Sequence, residues 1–338
     1  MNSWVVLLIC ALTCCCGCSN GAPNCPHMCT CHFSNGDTKV VCSEASFSQF
    51  PSSGLPGNTT SLSIQSTNLS TITAKHLQAT PLLKELQIYY NNVSTLGLDL
   101  LKGVPRLHTL DLTGNRLNVL PPSIFSHALL CNLVLKDNLI SSVDTDWFPD
   151  NSNLTWLDLS GNHLTAVPID LFKKLRRLEN LDLSHNHLEK ILAGTLDPLK
   201  SLQQLNLGGN QLRTLDPSTF RKTPNMTHLF LQENQLESLP PNLLQGLHRL
   251  DFLFVNRNRL GHISTTLLEH LSNPGMSNRL QVVLGQNPWV CDEKVEGLWR
   301  WLKENQKKVF LADDIRCASP DSLKERSVMS LTDIELAL

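Results

Sequence analysis

Asparagine recurs in this chain like marks on a ruler. Asn91, Asn115, Asn138, Asn162, Asn186, Asn210, Asn234 and Asn258 stand 24 residues apart, with one interval of 23. Each sits in the phrase L-x-x-L-x-L-x-x-N-x-L, as in the stretches from Asp111 to Leu117 and from Asp158 to Leu164. Leucines two apart, such as Leu110 and Leu112 or Leu157 and Leu159, share one face of a short strand. One such strand cannot bury that face alone. Coils of equal length, stacked, lay their strands side by side in a parallel sheet over one continuous core. The asparagine amide both donates and accepts, which suits a buried turn where unpaired backbone groups are costly. Ten residues after each ladder position come Leu77, Leu101, Phe125, Phe148, Phe172, Leu196, Phe220, Leu244 and Leu268. This second column predicts a spine beneath the outer wall.

Phrase and period together resemble the leucine-rich repeat family. The resemblance implies an α/β solenoid, a horseshoe with a parallel concave β-sheet and disulfide-bonded N- and C-terminal caps. Residues 59–286 hold about nine to ten repeats, between an N-terminal cap at 22–58 and a C-terminal cap at 287–338. The first repeat carries Thr67 in place of asparagine, so its turn is expected to be held less firmly. The last ends at Asn287, 29 residues after Asn258, with a loop inserted from Ser272 to Asn278.

A short apolar run from Trp4 to Leu12, followed by Gly17, Ser19, Gly21 and Ala22, reads as a secretory signal peptide over residues 1–21. The run is too short to span a bilayer, and no later tract is long and apolar enough. The expectation is a secreted, extracellular protein without a membrane span. A formal net charge of −2 does not suggest nucleic-acid binding. Five glycosylation sequons begin at Asn58, Asn68, Asn92, Asn153 and Asn225. Asn68 and Asn92 follow ladder positions directly, where the turn is expected to hide them. Asn153 and Asn225 approach their strands and are expected to be better exposed.

Cys10, Cys14, Cys15, Cys16 and Cys18 fall in the signal region. Cys25, Cys29, Cys31 and Cys42 precede the repeats, and Cys291 and Cys317 follow them. In a secreted chain such clusters read as disulfides, and four cysteines allow three pairings. A zinc site is the rival, disfavoured by the oxidising compartment and the C-x-C spacing. Resemblance to extracellular repeat caps implies Cys25–Cys31 and Cys29–Cys42. Val40 and Val41 are expected to cover the first raw end of the stack. The stretch from Glu293 to Val309, with Leu298, Trp301 and Leu302 at helical spacing, is expected to be an amphipathic helix over the other end, pinned by Cys291–Cys317. Trp299 and Trp301 read as core there. Cys131 has no partner in register and reads as a buried free thiol, with intermolecular pairing the alternative.

No G-x-S-x-G, phosphate loop or H-E-x-x-H occurs. His163, His185 and His187 read as solvated turn residues. The chain is therefore expected to be no enzyme and to need no cofactor or metal. Residues between the strand leucines point out of the concave face. There Asp111, Asp158 and Asp182 form an acidic strip, with Lys136 the one opposing charge. His228, Phe230, Phe252 and Phe254 gather toward the C-terminus, and Trp156 and Tyr89 flank the central row. Exposed aromatic clusters mark protein contacts, so a protein ligand in the concave arc is expected. The alternative is that these rings stack on each other and on the cap.

The segments Asn287-Pro288-Trp289-Val290-Cys291-Asp292, Trp299-Arg300-Trp301-Leu302 and Arg316-Cys317-Ala318, with Leu120-Pro121-Pro122, resemble the leucine-rich α-2-glycoprotein family of secreted plasma proteins. That resemblance implies an inflammation-associated circulating glycoprotein. It implies modulation of transforming growth factor β signalling, through the growth factor or its receptor, and binding of cytochrome c. The four-cysteine N-terminal cap instead resembles those of matrix proteoglycans and jawless-fish variable receptors. Innate recognition or matrix organisation is accordingly the alternative.

Overall fold

The computed structural model describes residues 25–43 and 48–336. The expected signal peptide and its five cysteines lie outside them. Ten short strands, from Thr59–Gln65 through Glu85–Tyr89, Thr109–Asp111 and their successors to Gln281–Val283, pair in parallel and in chain order. Register follows the repeat, so that Leu110 faces Leu133 and Leu157 faces Leu181. An antiparallel hairpin, Cys29–Ser34 with Asp37–Cys42, joins the front and makes one sheet of 12 strands. The N-terminal cap thus extends the sheet as well as covering it.

The spine column is buried from Leu77 to Leu268 without exception. Burying each of these side chains stabilises by about 1.5–3 kcal/mol, most of it offset by chain entropy. The asparagines do what a two-ended amide can do. Asn186 Nδ2 donates to its own strand-end carbonyl at Leu183 (3.1 Å) and to that of the preceding coil at Leu159 (2.9 Å). Its Oδ1 accepts from the Leu164 N–H at 2.9 Å. The same set recurs at Asn115, Asn138, Asn162, Asn210 and Asn234. Each strand-end carbonyl in the middle of the stack therefore receives two amides, its own and the next. At the first repeat, Ile64 O receives only Asn91 Nδ2, because Thr67 turns its hydroxyl to Asn91 Oδ1.

All three cap disulfides form as expected: Cys25–Cys31, Cys29–Cys42 and Cys291–Cys317. Two details of the caps differ. Only Val40 turns into the core, while Val41, next along a strand of period two, is half-buried. The C-terminal helix is shorter than expected, Glu296–Glu304, with one 3-10 turn on either side. Asp292 accepts from the Lys294 N–H and tightens the entry. Asn305 ends the helix by donating its side chain to Trp301 O, a carbonyl that already takes the Asn305 N–H. Trp299 and Trp301 are core, and their indoles donate to Leu331 O and Ser272 Oγ. Lys308 Nζ reaches Leu271 O at the end of a further helix, Thr265–Ser272. Phe310 N donates to Val282 O and so covers the last strand edge.

Cys131 is free but half-exposed rather than buried. It precedes the strand Asn132–Val134, outside the alternation that sends Leu133 into the core.

Candidate concave binding face

Two rows of side chains rise from the concave sheet. One runs Thr109, Asn132, Trp156, Asn180, Gln204, His228, Phe252. The other runs Gln87, Asp111, Val134, Asp158, Asp182, Asn206, Phe230, Phe254. Neighbours within a row sit one strand spacing apart, roughly 4.8 Å.

The aromatic residues meet as the sequence predicts. Phe230 and Phe254 have ring centroids 5.1 Å apart, and His228 stacks on Phe252 at 4.8 Å. All four are half-buried and none enters the core. They shield one another yet keep part of each ring open to solvent. Burial lowers the His228 pKa, with Arg279 adding to the effect and Asp251 opposing it. The cluster thus presents an uncharged ring at neutral pH. Asp251, Ser277 and Arg279 form its unexpected flank: buried Asp251 accepts from Ser277 Oγ and pairs with Arg279 Nη2 at 3.0 Å. Nothing in the repeat pattern signals this tie, because Ser277 belongs to the inserted loop and Arg279 follows directly after it.

The aspartates are less free than a solvated strip. Asp111, Asp158 and Asp182 each accept, through Oδ1, both the N–H and the hydroxyl of the residue two ahead, Thr113, Ser160 and Ser184. Ser160 and Ser184 are buried in making these bonds. Asp182 also accepts from Asn206 Nδ2 at 2.9 Å. Asp158 and Asp182 adjoin, whereas Val134 separates Asp111 from both. Burial is the main cause that raises the Asp158 pKa above the ordinary 3.8; the Ser160 bonds oppose it, Asp182 adds, and Lys136 opposes. Folded Asp158 therefore holds its proton more tightly than the unfolded chain does. Its contribution to stability is fully present below pH 3.8 and is lost as pH rises through the raised folded value. Asp158→Asn keeps an acceptor for Ser160, as Asn206 does for the Gly208 N–H. At pH 7 the variant is expected to be at least as stable as the wild type, and the gap should close near pH 3. Urea midpoints at the two values check this; a less stable variant at pH 7 would refute it.

Between the two groups lies a shallow pocket over Asn180, Asp182, Gln204 and Asn206, walled by Trp156 and Phe230. Trp156 is 42% exposed. Tyr89 lies apart, near the first coils, with its hydroxyl accepting from Ser63 and its ring edge-on to Tyr90.

The sequons are ordered differently from expectation. Asn58 and Asn68 are exposed, and Asn92 is half-buried. Asn153 and Asn225 are half-buried too, and their amides are engaged. Arg177 donates to Asn153 at 2.6 Å, and Arg249 donates to Asn225 at 2.9 Å. Asn225 also donates to Lys200 O. These asparagines align with the arginines one coil on, a contact between coils that no local pattern displays. His163 and His187, 24 residues apart, stack at 5.6 Å on the turn side.

Comparison with known proteins places this geometry. A model described as leucine rich repeat matches residues 57–117, 105–164, 152–212 and 207–260. Leucine-rich repeat-containing protein 3 of Danio rerio is 33% identical over 103 residues, 30% of this chain and 38% of that protein. Toll-like receptor 9 of Equus caballus is 33% identical over 121 residues, 31% of this chain and 11% of the receptor. The alignments span well under half the length of these relatives. Among solved structures, a chain of the octameric complex of Latrophilin 3, Unc5D and FLRT2 superposes with a TM-score of 0.64 at 24% identity. That match covers 92% of this chain and 99% of the other. The TLR13–ssRNA13 complex gives 0.71 at 21% identity, covering 87% of this chain and 42% of that one. At such identities the likeness concerns the fold.

Proposed function

We propose that this chain, which belongs to the leucine-rich repeat family, binds a protein ligand on its concave face and acts by binding rather than by catalysis. The observation that carries this reading is the cluster of His228, Phe230, Phe252 and Phe254. These half-buried rings stand on the hollow side of the sheet, outside the core. Clustered aromatics of this kind supply most of the binding energy at protein interfaces. We place the protein outside the cell as a secreted glycoprotein. The disulfide-bonded caps support that placement, and no helix among the described residues is long and apolar enough to cross a membrane.

The finer reading rests on resemblance to the leucine-rich α-2-glycoprotein family. It makes the ligand a growth factor of the transforming growth factor β class, its receptor, or cytochrome c. Asp158 and Asp182 suit a basic partner such as cytochrome c. A second reading, innate recognition, draws on the similarity to Toll-like receptors. Affinity capture from plasma with the mature protein tests both. Phe230→Ser with Phe254→Ser should weaken the captured interaction by about thirtyfold or more, as loss of an aromatic anchor does. Secretion should be unchanged, since neither ring is core. Undiminished binding would discard the concave site.

A further inference from the structure

We infer that the pocket between Trp156 and Phe230 receives a basic side chain, lysine or arginine, from the ligand. This inference rests on the concave face being the protein-binding surface. Three features point to a long cationic side chain. First, the pocket has aromatic walls, and Trp156 is 42% exposed although it opens a strand whose two other residues are buried or half-buried. An exposed indole covers an alkyl stem and attracts a cation over its face. Second, the floor is acidic. Asp182 lines it, and Asp158 adjoins one strand away. Lys136 is the one basic residue among the outward positions of the neighbouring strands, so the pair keeps a net negative charge. Third, the carboxylates are held in place before any ligand arrives. Each has one oxygen fixed by the serine two residues ahead, and Asp182 is further fixed by Asn206. A cation therefore meets preset acceptors and costs little reorganisation.

Panning a random peptide library on phage against the purified protein tests the inference. Enriched peptides should share a lysine or arginine, and which of the two recurs identifies the guest. Replacing that residue by norleucine in a synthetic peptide should weaken binding to the wild type about tenfold. The same replacement should have little effect on Asp182→Asn, and Trp156→Ala should lose about tenfold for the parent peptide. Peptides without a basic residue, or basic peptides held equally by Trp156→Ala and Asp182→Asn, would overturn the inference. If those peptides still depend on Phe230 and Phe254, the concave reading survives. If they ignore all four positions, that reading falls as well. A library that yields no binder also counts against the pocket, while plasma capture with the phenylalanine variants still decides the wider reading.

Discussion

Asn186→Ala is expected to lower the stability of the repeat stack by about 3 kcal/mol. The change leaves the buried Leu164 N–H without its acceptor, which alone costs about 1–3 kcal/mol, and strips one donor from each of three carbonyls, Leu159, Leu183 and Ser184. Those carbonyls are not fully orphaned. Leu183 O keeps Asn210, Leu159 O keeps Asn162, and Ser184 O keeps the Gly161 N–H. The sharing of Leu159 O predicts more. Asn162→Ala and Asn186→Ala together leave it without either amide, so the double variant should be less stable than the sum of the singles by about 1 kcal/mol. Equilibrium urea unfolding of the two singles and the double closes this cycle. Strict additivity would mean that the amides act independently, contrary to the shared carbonyl.

Removing the Cys291–Cys317 bridge by double replacement with alanine is expected to cost about 3–4 kcal/mol. The bond closes a loop over a sequence separation of 26, and chain entropy returns to the unfolded cap once the bond is gone. The loss should be local. A repeat stack is held by nearest-neighbour contacts, so a weakened end opens before the middle. Trp289, Trp299 and Trp301 are all buried in this cap and should report an early transition by fluorescence. Far-ultraviolet circular dichroism should follow the remaining coils at higher urea. A single coincident transition in the variant would show that the cap and the repeats unfold as one unit.

The legible parts of this molecule are those that repeat. Ten coils, the leucine ladder, the Phe172 and Phe220 spine and the two-ended asparagine role follow from spacing, because equal coils can stack in one register only. The concave rows were equally legible, and Phe230 and Phe254 meet across adjacent strands at the expected spacing. Departures from expectation arise where a side chain finds a partner outside its own coil or ends an element. Asn153 and Asn225 sit at positions that suggest exposure, yet each meets an arginine one turn of the solenoid away. Asn305 sits in a helical pattern but occupies a carbonyl of the preceding turn. Cys131 lies just outside the strand, so the alternation that buries leucine does not reach it.

By itself the sequence determined the coil, its length, the stacking direction and the faces that look inward and outward. All of these are consequences of one period acting on apolar side chains. Only the tertiary structure decided how much of each outward group remains available. Asp111, Asp158 and Asp182 read as an acidic strip open to solvent, yet each carboxylate already spends one oxygen on its own strand end. That engagement depends on distances of a few ångströms between side chain and backbone, which spacing along a chain does not specify.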